Sequence, residues 1–424
     1  MTALIAFSLL ASSAPAQSKT ESNAGPKSVT VPVTLDHDRV VIDVYLPLPD
    51  GSTKRVRGWV DNGDTDLWMS RRAATLMGLS ITCTDKGCSA LPPAAIKIGE
   101  MNIPLAGFAP IRIPLKPPTA DSVMFPGMSA EIKIPSRLLR SYDVIINYPD
   151  REFSIGLPGS LKFNGVKDKL LVSADGLIQI ASRIENKNYN LGLDIGSSLS
   201  FLSAELFDKL TDEHGDWPHM VGAVGPANLW GGSEETSWKL MRIDRVQFGP
   251  LYLTGVAVAA SRKYAAGSPD KHASDKHARP AEVGIIGADA LMNYRIGLDY
   301  AHSAVYFDLG TTFKFPDFDV VGLTLRPEDD TRFTILGVAE FEGQPSVLTG
   351  DDGVQPGDHL AAVDGIPVPD STMGQVWSLL EGTPGQERKL TVERGGRQFT
   401  VTAKVQHFLG ETEENQTKDK SDKK

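Results

Sequence analysis

Trp59-Val60-Asp61-Asn62-Gly63 and Leu191-Gly192-Leu193-Asp194-Ile195-Gly196-Ser197-Ser198 decide how this chain is read. Each is an apolar, β-prone run that stops at Asp-x-Gly, and each is followed by a serine placed to cap a helix. Ser70 precedes Arg71-Arg72-Ala73-Ala74-Thr75-Leu76-Met77, closed by Gly78; Ser203 precedes Ala204-Glu205-Leu206-Phe207-Asp208-Lys209-Leu210. Further on, Tyr142-Asp143-Val144-Ile145-Ile146-Asn147-Tyr148 has its counterpart in Tyr294-Arg295-Ile296-Gly297-Leu298-Asp299-Tyr300, and each leads into another strand. Matched landmarks in one order predict a duplication, with similar lobes over 28–160 and 161–317.

The chain has 424 residues, with 43 Lys and Arg against 53 Asp and Glu. That length allows about three globular units. A net charge of −10 and no basic stripe exclude a nucleic-acid binder, which needs a positive face for phosphates. The apolar run Ala3 to Ser12 followed by Ala14-Pro15-Ala16 fits a secretory signal peptide over 1–16, so the protein is expected to be exported, periplasmic or extracellular. No run is long enough to keep the mature chain in a bilayer. In an oxidising compartment Cys83 and Cys88 can close a small loop disulfide. Two thiols are too few for a structural zinc site. His272 and His277, in a polar inserted loop over 262–282, have no ligating companions, and neither a metal nor a cofactor is expected.

From Val29 onward short β-rich runs alternate with Gly, Pro and Asp turns, predicting a mainly β, barrel-like architecture. After Pro316 the pattern changes. Strands at Val320–Leu325 and Arg332–Val338, the turn-strand-turn Gly353 to Gly365, a helix over Met373–Leu380 and two closing strands predict an α+β unit over 318–408. The residues from 409 to 424 carry mixed charge and read as a disordered tail.

If the lobes pack about a pseudo-twofold axis, Asp61 and Asp194 meet across it. Two adjacent carboxylates cannot both ionise, so they share a proton. The protonated one can then polarise a peptide carbonyl while the other activates water. Gly63 and Gly196 would let the turns approach closely. Competing readings are weaker. Asp61-Asn62-Gly63-Asp64-Thr65-Asp66 fits no calcium-loop register, and Ser197 and Ser198 lack a nucleophile context.

With these residues the chain resembles the bacterial retropepsin/pepsin-like aspartic proteases over roughly 30–310. The resemblance implies two β-barrel lobes, catalytic Asp61 and Asp194, supporting turn residues Asn62, Gly63, Ile195 and Gly196, and an apolar-apolar-Gly segment behind the second loop at Ile285-Ile286-Gly287. It also implies a loop closing over the cleft, for which Pro104 to Pro126 is the candidate. The family's central Thr or Ser, whose hydroxyl braces the loops, is here replaced by Asn62 and Ile195. Asn62 can donate and accept but Ile195 can do neither, so one side of the brace is expected to be lost. Pro135 stands where the first lobe should have its supporting glycine, an expected divergence of that segment.

The C-terminal unit resembles the PDZ domains of bacterial envelope proteases. That implies a loop, Val321-Gly322-Leu323-Thr324, that captures a C-terminal peptide carboxylate, with the peptide lying along the Met373–Leu380 helix. Together these features suggest an exported aspartic endopeptidase acting on a protein or peptide substrate. The rival is a catalytically degenerate homologue that binds peptides in the envelope.

Overall fold

The computed structural model describes residues 25–114, 130–173, 176–222, 239–261, 282–310, 318–328 and 331–410. The leader, most of the inserted 262–282 loop, His272, His277, the tail from 411 and the 115–126 part of the closing-loop candidate lie outside these. Among the described residues no helix is long and apolar enough to cross a membrane.

The chain is mainly β. The strand Thr53–Asp61 runs parallel to Ile132–Pro135, with Trp59 opposite Lys133 and Asp61 opposite Pro135. In the second half Lys187–Leu193 runs parallel to Glu282–Ile286, with Leu193 opposite Ile286, and the Asp194 N–H donates to Ile286 O at 3.0 Å. Both aspartates therefore sit where a buried strand runs out, a position that fixes the backbone and frees the side chain. A short helix follows each supporting strand, Ser136–Leu139 and Ala288–Leu291. Its first N–H returns to the aspartate loop, Ser136 N to Asp64 O and Ala288 N to Ser197 O, each at 2.8 Å.

The halves meet in one sheet. Asp143–Asn147 lies antiparallel to Tyr294–Asp299, with Asp143 opposite Asp299, Ile145 opposite Gly297 and Asn147 opposite Arg295. Ile145 and Gly297 hold equivalent places after the two short helices, so exchanging the halves maps this ladder onto itself. That is a local pseudo-twofold, and a self-complementary contact is what such an axis produces.

The capping serines act as the sequence predicts. Ser70 Oγ accepts from Ala73 N at the head of Arg71–Leu76, and Ser203 Oγ accepts from Leu206 N at the head of Ala204–Glu213. The second helix runs one turn longer than its apolar spacing suggested. Cys83 and Cys88 face each other across the hairpin of Ile81–Thr84 and Gly87–Ala90 and are disulfide-bonded.

In the C-terminal unit the strands Leu323–Pro327, Phe333–Val338, His359–Val363, Glu387–Arg394 and Arg397–Lys404 form one sheet in that order. The helix Met373–Leu380 begins with a capping box between Thr372 and Gln375. This unit is not tethered loosely. Its apolar cluster, including Phe318, Leu325, Val376 and Phe408, is continuous with Leu199, Phe201, Leu240 and Ile285 of the second half. It also grips the first half, where Gly374 N donates to Asp36 Oδ1 at 2.6 Å and the His37 ring packs edge-on against Trp377 at 4.6 Å.

The loop that the PDZ resemblance assigned to carboxylate capture is closed by the unit's own helix and last strand, and the expectation for these residues is corrected here. Val321, Gly322, Leu323 and Thr324 are all buried. Val321 N–H donates to Leu380 O at 3.1 Å and Leu323 N–H to Val321 O at 2.7 Å, so both donors are already used. A Cβ on Gly322 would lie 2.7 Å from the Phe408 ring, which fills the space a terminal carboxylate would need.

Candidate functional site

The two aspartate loops interlock. Gly63 N–H donates to Asp61 Oδ1 at 2.8 Å and Gly196 N–H donates to Asp194 Oδ1 at 2.9 Å, so each carboxylate is aimed by its own turn. Each carboxylate also lies against the opposite glycine. A Cβ on Gly63 would sit 2.3 Å from Asp194 Oδ2, and one on Gly196 would sit 2.4 Å from Asp61 Oδ1. Only a residue without a side chain fits either place. Asp61 is 5% exposed and Asp194 is half-buried.

Asn62 makes the crossing the sequence expected to be weakened. Fully buried, it donates from Nδ2 to Leu193 O at 2.7 Å and accepts at Oδ1 from Ile195 N at 2.8 Å. One amide supplies both a donor and an acceptor across the pseudo-twofold, and both bonds end on main-chain atoms. Ile195 need supply nothing polar from its side chain, which packs in the core. The Ile195 side of the brace carries no side-chain bond, as expected, and Asn62 makes two crossing bonds from the other side.

The expected divergence at Pro135 is smaller than the residue change implies. Pro135 adopts φ −85°, ψ 165° and Gly287 φ −90°, ψ −177°, both extended. The halves differ in crowding instead, because a Cβ on Gly287 would lie 2.3 Å from Leu199 O.

Sequence reading missed the chemistry around the first loop. Lys133 is fully buried, ion-paired to Asp64, and its Nζ stands 3.6 Å from Asp61 Oδ2. The same ammonium lies over the Trp59 ring at 5.8 Å and the Trp68 ring at 5.6 Å. Burial acts to raise Asp64, but the Lys133 charge and hydrogen bond outweigh it, so its carboxyl lies below the ordinary aspartate value. The available signal was a lone cation inside Ile132-Lys133-Ile134-Pro135, a strand buried at all four positions. Behind the second loop Asp289 is 2% exposed and pushed by burial up to about 7. Ser200 Oγ donates to its Oδ1 and accepts from Gly287 N, both at 3.0 Å.

No family model matches the sequence and no curated protein is similar to it. Among solved structures, the aspartic proteinase from Irpex lacteus is similar over 67% of this chain and 98% of that chain, with 14% identity and a TM-score of 0.41. So slight a likeness carries no weight, and the functional reading stands on the loop geometry.

Proposed function

We propose that the chain is an aspartic endopeptidase in which Asp61 and Asp194 share one proton and activate a water for attack on a peptide bond. The carrying observation is the reciprocal seating of each carboxylate against the other loop's glycine, with Asn62 pinning the two turns together. Two acids held this way favour a single shared charge, which supplies a general base and an electrophile at one place. The half-buried state of Asp194 leaves the pair open to substrate on one side. On this reading the two halves are duplicated lobes, residues 1–16 direct export to the periplasm or the outside, and the C-terminal PDZ-like unit is a docked brace rather than a peptide trap.

The test is digestion of casein and labelled peptides across pH 3–8, with and without a statine-containing inhibitor, in wild type, Asp61→Asn and Asp194→Asn. Acid-favoured, statine-sensitive cleavage that disappears in both variants supports the reading. Peptide binding without turnover at any pH, unchanged in both variants, supports the non-cleaving rival.

A further inference from the structure

Resting on the paired-aspartate reading, we infer that Lys133 decides which aspartate carries the shared proton: its ammonium holds Asp61 ionised and leaves the proton on Asp194. Symmetric loops give two carboxylates no reason to differ. Here the supporting strands differ in charge, at one matched pair of positions. Lys133 stands beside Trp59 in the first half, while Ile285 stands beside Gly192 at the matching place in the second. The ammonium is 3.6 Å from Asp61 Oδ2, too far for a hydrogen bond but well within ion-pair reach.

The charges around the pair point the same way. Asp64 and Asp61 flank Lys133, so that trio already carries one net negative charge, and an ionised Asp194 would add a second against it. On the far side, Tyr148 adds no positive charge: burial, with the charges of Asp38, Asp194 and Asp289, pushes its phenol well up. The fixed positive charge of Lys133 therefore lies at Asp61. In the proposed reaction Asp61 takes the proton from the attacking water, and Asp194 donates a hydrogen bond to the substrate carbonyl. Lys133 touches neither substrate nor water and acts as a positioning residue.

The assignment is tested on the intact protein without any need for turnover. Aspartate is labelled with ¹³C at Cγ, the two resonances are identified by their loss in Asp61→Asn and Asp194→Asn, and both are followed from pH 3 to 8. The expected result is that Asp61 stays ionised to a lower pH than Asp194. Lys133→Met, which keeps the length and removes the charge, should raise the Asp61 midpoint by about 1–3 in pH. Asp64→Asn, which leaves the lysine in place and frees it from its other partner, should lower that midpoint, and it guards against Lys133→Met failing to fold. If Asp194 proves the ionised member, or if neither variant moves Asp61, the assignment is overturned while the pair stands. If instead Asp194→Asn leaves the Asp61 midpoint untouched, the two do not titrate together and the underlying reading falls.

Discussion

The two aspartate loops share a backbone and differ in chemistry. Each ends a buried strand, aims its carboxylate with the N–H two residues on, and is stitched to a short helix by a 2.8 Å bond from that helix's first residue. Around that common frame the first loop is polar, with Asn62, Asp64 and Lys133. The second is apolar where the first is polar, with Ile195 for Asn62 and Ile285 for Lys133, and its acid, Asp289, is held back behind the loop. The difference teaches that the axis governs where the main chain goes and leaves each half free to do separate work. Bracing and charge fall to the first loop, and packing to the second.

The comparison can be broken most sharply at the aspartates. Asp61→Asn and Asp194→Asn should each lower peptide cleavage by on the order of 10³-fold or more with little change in thermal stability, measured by kcat/KM and calorimetry. Unequal losses, with one variant nearly active, would mean the loops do not function as a pair. Next in size is the brace. Asn62→Ala removes both crossing bonds, including the one that Ile195 N makes in the core, for a loss of about 2–4 kcal/mol in urea unfolding. Ile195→Val, across the same axis, should cost only about 1 kcal/mol, because it trims a packed side chain and breaks no bond.

Two smaller effects depend on pH. Asp289 in the folded protein binds its proton more tightly than in the unfolded chain, its pKa rising from 3.8 to about 7. Its contribution to stability is therefore full below pH 4 and is lost as pH rises through 7. Asp289→Asn should raise stability at pH 8 by on the order of 2 kcal/mol and change it little at pH 4, read from melting curves at both. His37 runs the other way. Burial, helped by the Arg39 charge, lowers it from 6.5 to about 3, so the docked C-terminal unit is held by a neutral ring. That contribution is present above pH 6.5 and is lost as pH falls towards 3. His37→Phe should flatten the acid loss by about 1 kcal/mol between pH 6.5 and 4.5.

Local features of this fold were readable because they follow from local chemistry. Ser70 and Ser203 cap helices by bonds that reach three residues along the chain, and Cys83 meets Cys88 across one hairpin. The nearness of Asp61 and Asp194 was readable for a different reason: a repeated order of landmarks implies an axis, and an axis brings equivalent turns together. Partners chosen by tertiary packing were not readable. Asn62 finds two main-chain atoms more than a hundred residues away, and no pattern near Asn62 names them. Lys133 shows in sequence only as one polar residue in an apolar strand, and its meaning appears when the parallel pairing sets that strand beside Asp61. The buried state of Val321 to Thr324 comes from Leu380 and Phe408, which close over a loop that reads as open when taken alone.

Calorimetry of a statine-containing peptide binding to the wild type, Asp61→Asn and Asp194→Asn proteins tests most directly whether the two loops form one chemical centre. The inhibitor's hydroxyl must bond to both carboxylates at once, so binding should weaken on the order of 10²-fold or more in either variant and be linked to one proton in the wild type. Equal affinity in all three proteins, or no binding at any pH from 3 to 8, would contradict a joined pair.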